Sequence, residues 1–195
     1  MALLHTATAL AKGDGAIRRP CSNGRRERST FARATMAAAL AAAGCLALIA
    51  GATPAPAAND KARITALSDV AFGTIANLSV DAINSQSICV YSTSATSGYN
   101  VTASGSGPSG AFQLLSGAQI LPFEVQWSGT SGQTSGIQLN PNVPLTGQAS
   151  IASQQTCNSG PATSASLVVI LRSSALTSAS AGTYSGTLTL LVGPE

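Results

Sequence analysis

Residues 62–192 alternate apolar and polar side chains in short runs, and no stretch carries the 3.6-residue period of an amphipathic helix. The cleanest run closes the chain, AGTYSGTLTLLVGPE. There Tyr184, Gly186, Leu188, Leu190 and Val192 fall on one face of a strand, and Thr183, Ser185, Thr187 and Thr189 on the other. The alternation ends at Val192 and leaves Gly193–Glu195 beyond the strand. ARITALSDVAFGTI (62–75) predicts one strand, a Ser-Asp break and a second short strand ending near Gly73. QSICVY (86–91) is apolar and β-branched around Cys89. In SGYNVTASGSGPSG, Tyr99, Val101 and Ala103 alternate with Asn100, Thr102 and Ser104 before a Gly/Ser/Pro turn.

AFQLLSG (111–117) reads as a short strand. ILPFEVQW (120–127) puts Phe123, Val125 and Trp127 on one face and Glu124 and Gln126 on the other, with Pro122 starting it at an edge or after a bulge. SGTSGQTSG (128–136) is a loop, and LNPNVPLTGQASI, with two prolines, is irregular. ASLVVILRS (165–173) is apolar on both faces, which places it in the middle of a sheet. Seven or so short strands joined by turn chemistry, with no helix, predict an all-β, immunoglobulin-like β-sandwich; a barrel is the alternative.

Charge divides the chain in two. Residues 1–57 hold seven of the ten Lys/Arg and two of the seven acids, so they carry +5 and the rest −2. The basic balance therefore belongs to the leader and gives no reason to expect a nucleic-acid partner. The leader has the anatomy of an export signal. Its basic residues end at Arg33, the apolar stretch MAAALAAAGCLALIAGA follows, and Ala55-Pro56-Ala57 fits a small-x-small cleavage site, with cleavage after Ala57 or Ala58. The apolar stretch is short and Ala-rich against the ~20 strongly apolar residues of a spanning helix, so no stable membrane insertion is expected after cleavage. The leader is long for a signal, and a start between Arg25 and Met36 would make the first ~25–35 residues untranslated. Residues 58–195 then form a single domain.

Two cysteines, Cys89 and Cys157, remain beyond the leader, and one pair in an exported chain predicts one disulfide. Closing that loop would stabilise the fold by about 4 kcal/mol in the chain-entropy model. Two free buried thiols are the competing reading.

Catalytic parts are missing from the sequence. The only histidine is His5, in the leader, so residues 58–195 offer no His-based triad, and with two Cys no metal site. Asp60, Asp69, Asp81, Glu124 and Glu195 form no obvious carboxylate pair on one element. SGSGPSG lacks the Lys and the helix of a phosphate loop. Glu124 is expected to face solvent, Arg172 to sit at the sheet rim or pair with an acid, and Trp127 and Tyr99 to be core. No enzyme activity and no cofactor are expected.

The export signal, LSDVAFGTI near the start of the domain, the Cys-bearing strand followed by GYNVTASGSG, and the ending AGTYSGTLTLLV together resemble the spore coat protein U domain and archaic (Csu-type) chaperone–usher fimbrial subunits. The resemblance spans most of residues 62–192. It implies a sandwich that lacks its last strand and leaves a groove. A periplasmic chaperone strand fills that groove first, and the N-terminal extension of the next subunit fills it later. The implied partners are the chaperone, an outer-membrane usher and neighbouring pilin subunits. The implied route runs through the periplasm to the cell surface. On this reading Tyr184, Leu188, Leu190 and Val192 line the groove. Residues 58–67 are a possible donor segment, in which Ala62, Ile64 and Ala66 alternate; the other reading keeps 62–67 as the domain's own first strand.

The sequence departs from the family pattern at Gly186, near where an acid often sits, and in the extra Gly-Pro-Glu after the last strand. A second function class also fits: a self-complete secreted sandwich that binds glycan or surface polymer through loops 104–110 and 128–136.

Overall fold

The computed structural model describes residues 2–11 and 60–195. The predicted cleavage site at Ala57 and Ala58 lies outside them. Among the described residues twelve strands run in chain order: β1 (Ala2–Ala11), β2 (Ala62–Thr65), β3 (Val70–Gly73), β4 (Ala82–Ser92), β5 (Gly98–Gly105), β6 (Gln113–Ser116), β7 (Gln119–Pro122), β8 (Glu124–Ser128), β9 (Ile137–Gln138), β10 (Leu145–Ala149), β11 (Ala165–Leu171) and β12 (Tyr184–Pro194). They form two sheets, antiparallel throughout except where β1 meets β12, and these make a sandwich rather than a barrel. One sheet runs β10-β5-β12-β1-β3 with the β6–β7 hairpin joined to β12, and the other runs β2-β4-β11-β8-β9.

Between the sheets lie the inward residues of the alternating runs together with residues of the two apolar runs around Cys89 and Val168. Val101, Ala103, Leu188, Leu190 and Val192 come from one sheet, and Val90, Val125, Trp127, Leu167 and Val169 from the other. Each buried Val or Leu removes enough apolar surface from water to contribute about 1.5–3 kcal/mol. Trp127 and Tyr99, both fully buried, meet edge to face with ring centres 6.3 Å apart, and the indole Nε1–H donates to the Tyr99 hydroxyl at 3.2 Å. Burial pushes the Tyr99 hydroxyl pKa up, against a smaller lowering by the Trp127 donor. Phe112 and Phe123 stack at 5.6 Å. All seven residues of β11 are buried, as its two-faced apolar run requires. Its outward Ser166 accepts from Gln133 N at 3.0 Å and donates to Thr130 O at 2.9 Å, which folds loop 129–136 back over the sheet.

Two segments change sheets, because a single strand would have to serve both. Ala66 has φ 62° and turns the chain out of β2, so 62–65 and 70–73 end in different sheets. The run 120–127, read as one strand, breaks at Phe123: Pro122 pairs with Gln113 in one sheet, and Glu124 opens β8 in the other. Three other expectations need correcting. The turn-rich stretch after β11 contains a short helix, α1 (Ser173–Ser178), with Leu176 buried. Glu124 is not simply a solvated face: with Asp81 it brackets Arg172, at 2.5 and 2.8 Å. The last strand does not stop at Val192, because Gly193 and Pro194 stay in register with Asn100 and Tyr99, and Glu195 N donates to Gly98 O at 3.0 Å.

Cys89 and Cys157 are disulfide-bonded, 68 positions apart in sequence. The bond ties the long link between β10 and β11 to the middle of β4. Around it Ser150 Oγ and Ser164 Oγ both donate to Val90 O, at 2.5 and 2.9 Å.

Candidate functional site

In an immunoglobulin constant-type sandwich one sheet runs A-B-E-D and the other C-F-G. Here β2-β4-β11-β8 takes the first order, and β5-β12 takes the C-F part of the second, all six in the chain order A to F. A tyrosine at the start of strand F, its hydroxyl bonded to backbone a few residues upstream, is a mark of this fold. Tyr184 opens β12, and its hydroxyl donates to Ser180 O at 2.9 Å. β12 is therefore strand F, and the position beside it belongs to a strand G.

That position is filled from the other end of the sequence. β1 runs parallel to β12, in register from Ala2↔Tyr184 through Thr6↔Leu188 and Ala7↔Thr189. One extra residue is then accommodated before Leu10↔Leu191 and Ala11↔Val192. Its other edge pairs antiparallel with β3, Leu3↔Ala71 and Leu4↔Val70. Among the described residues no pairing joins β3 directly to β12, so β1 occupies a slot with two backbone walls. A following strand G joined by a hairpin would lie antiparallel to F; the parallel course of β1 marks it as inserted.

The far side of β12 is satisfied independently. Leu188–Pro194 pair with β5, Ser185 with Leu115 of β6, and Thr187 N donates to Ser106 Oγ at 3.2 Å. Gly186, the departure noted in the sequence, has a packing reason: a Cβ there would come within 2.6 Å of Gln113 O and 3.0 Å of Leu114 Cδ2. With that side satisfied by β5 and β6, the edge of β12 left for an added strand is the one β1 takes.

Where Ala2 meets Gly73 and Tyr184, the slot opens into a cleft of about 290 Å³. Ile75, Leu78, Leu121 and Leu176 line it together with those two residues. It continues the path of an inserted strand and is mostly apolar.

Tyr184, Leu188, Leu190 and Val192 share one buried face of β12, along the slot. The alternating Ala62, Ile64 and Ala66 do not act as an outward donor here. Ala62–Thr65 pair antiparallel with Ser92–Cys89 of β4, Ala62 and Ile64 are buried, and Ala66 leaves the strand. This domain keeps the segment as its first strand, because its apolar face completes the core under the second sheet. Sequence reasoning missed residues 2–11 as an occupant, and it missed β3 as the second wall. The one signal was the two-residue period in HTATA, which the export-signal reading of the leader overrode. Among the described residues no cluster of three His, Cys, Asp or Glu could hold a metal, and no helix is long and apolar enough to cross a membrane.

No protein-family model matches the sequence, and neither does any curated protein.

Proposed function

We propose that this chain is a structural, adhesive subunit of a surface pilus or coat, joined to its neighbours by strand addition into the slot between β12 and β3. The observation that carries this reading is the strand-G position. An immunoglobulin-like sandwich with strands A to F in order has that place filled by a parallel strand distant in sequence. Backbone hydrogen bonds on two edges hold such a strand whatever its source, and its alternate side chains set the choice of partner. Left uncovered, the edge would be a template for aggregation. The partners this reading implies are a periplasmic chaperone, an outer-membrane usher and neighbouring subunits. The disulfide fits an oxidising compartment on the way to the surface.

The self-complete binding module has less behind it. Its loop 128–136 is tied down through Gly132 N to Ser87 Oγ and Gln133 N to Ser166 Oγ, at 2.9 and 3.0 Å.

The test is to express residues 58–195 alone in an oxidising periplasm and record mass, oligomeric state and thermal unfolding. The expected result is loss or polymerisation, cured by adding an alternating apolar peptide or co-expressing a cognate chaperone. A soluble monomer with one cooperative transition would overturn strand addition and favour the binding module.

A further inference from the structure

We propose that residues 2–11 are an intramolecular plug: in a chain that still carries them they fill the strand-G slot in cis, and a partner strand enters only once they are removed or displaced. The consequence for assembly rests on the strand-addition reading; the cis placement rests on pairing alone.

Three observations support it. First, β1 is bonded on both edges, to β12 from Ala2 to Ala11 and to β3 from Ala2 to Leu4, so it closes both walls that a partner would need. Second, it is a weak occupant by composition. The residues in register with the buried Tyr184, Leu188 and Val192 are Ala2, Thr6 and Ala11, and only Leu4, opposite Gly186, is large and apolar. The stabilisation from burial scales with apolar area. A strand with Leu, Ile or Val at those register positions would therefore bury more and displace it. The extra residue between Ala7 and Leu10 further breaks the match to β12 beside Leu190. Third, the other alternating segment near the start of the domain cannot take over. Ala62–Thr65 are committed to β4, and Lys61 is already fixed, its N donating to Thr93 Oγ1 at 2.7 Å and its O accepting from Thr93 N at 2.9 Å. With β1 gone, the slot waits for a strand from another molecule.

The experiment uses the full chain with Cys21→Ser and Cys45→Ser, leaving Cys89–Cys157 in place. A cysteine pair is introduced at the register partners His5 and Thr187 (His5→Cys, Thr187→Cys). Intact mass and peptide mapping under non-reducing conditions should show a 5–187 bond within one molecule. The same bond between two molecules would overturn the cis plug while leaving strand addition standing, and no 5–187 bond at all would overturn the placement of residues 2–11. In parallel, a fluorescent peptide LLLHLATALL, the 2–11 sequence with leucine in place of Ala2, Thr6 and Ala11, is titrated against the full chain and against its Thr6→Pro variant. Proline removes a backbone donor from the middle of β1. At least tenfold tighter binding to the variant is expected. Equal binding to both overturns the plug. A cis bond combined with no binding to either chain would overturn strand addition, and with it the role in assembly, while the placement itself would stand.

Discussion

Breaking the bond between Cys89 and Cys157 tests how the fold holds its longest irregular link. The cysteines are 68 residues apart, and the entropy released to the unfolded chain by opening a loop of that size corresponds to about 4 kcal/mol. That is a large share of the ~5–15 kcal/mol by which domains are stable. The cleanest perturbation is the double variant Cys89→Ala/Cys157→Ala, since Cys89 is fully buried and a serine there would add the cost of an unpaired hydroxyl, about 1–3 kcal/mol. With a urea slope of about 2 kcal/mol per molar, the midpoint should fall by roughly 2 M. The link between β10 and β11 would keep the bonds of Ser150 and Ser164 at its two ends and lose the covalent tie at its centre. It should therefore become the first protease-sensitive site in the variant. Equilibrium urea unfolding of the oxidised parent against the double variant measures the difference. A loss below about 1 kcal/mol, with the slope unchanged, would refute the chain-entropy argument and mean that the native contacts around β4 hold the link without the bond.

Two further outcomes follow from side chains that the fold brings together. Trp127→Phe removes the donor to the buried Tyr99 hydroxyl and part of the ring volume. It should cost about 2–3 kcal/mol in urea unfolding, and a change below about 0.5 kcal/mol would refute the role of that contact. Asp81 accepts from the Ser173 amide at 2.7 Å and from Arg172, and these bonds, the backbone one first, hold its carboxyl below the usual 3.8. A carboxyl depressed by folding adds stability above its unfolded pKa and loses it as the pH falls through the folded value. The parent's stability should therefore drop below about pH 4 by more than that of Asp81→Asn, read as urea midpoint against pH; parallel curves would refute it.

Local chemistry alone determined much of this protein. The two-residue alternation placed Tyr184, Leu188, Leu190 and Val192 on one buried face and marked β11 as central, because side-chain direction in a strand depends only on its pleat. Cysteine number and the export signal pointed to the Cys89–Cys157 bond. Where alternatives depended on long-range pairing, only the tertiary structure decided. Ala62 and Ile64 alternate equally well as a donated strand or a resident one, and it is the antiparallel register with β4 that keeps them at home. Pro122 marks an irregularity in ILPFEVQW, but that the run serves both sheets is set by what Gln113 and Ile170 pair with. Glu124 and Asp81 look unrelated until Arg172 arrives between them. The slot lies furthest from the sequence. Its walls, β12 and β3, are separated by most of the domain, and its occupant comes from before both. Strand pairing is a contract between backbones, and backbones are the same everywhere in a chain. Composition can show that a segment can be a strand; which edge it takes is decided by the edges the rest of the fold leaves open.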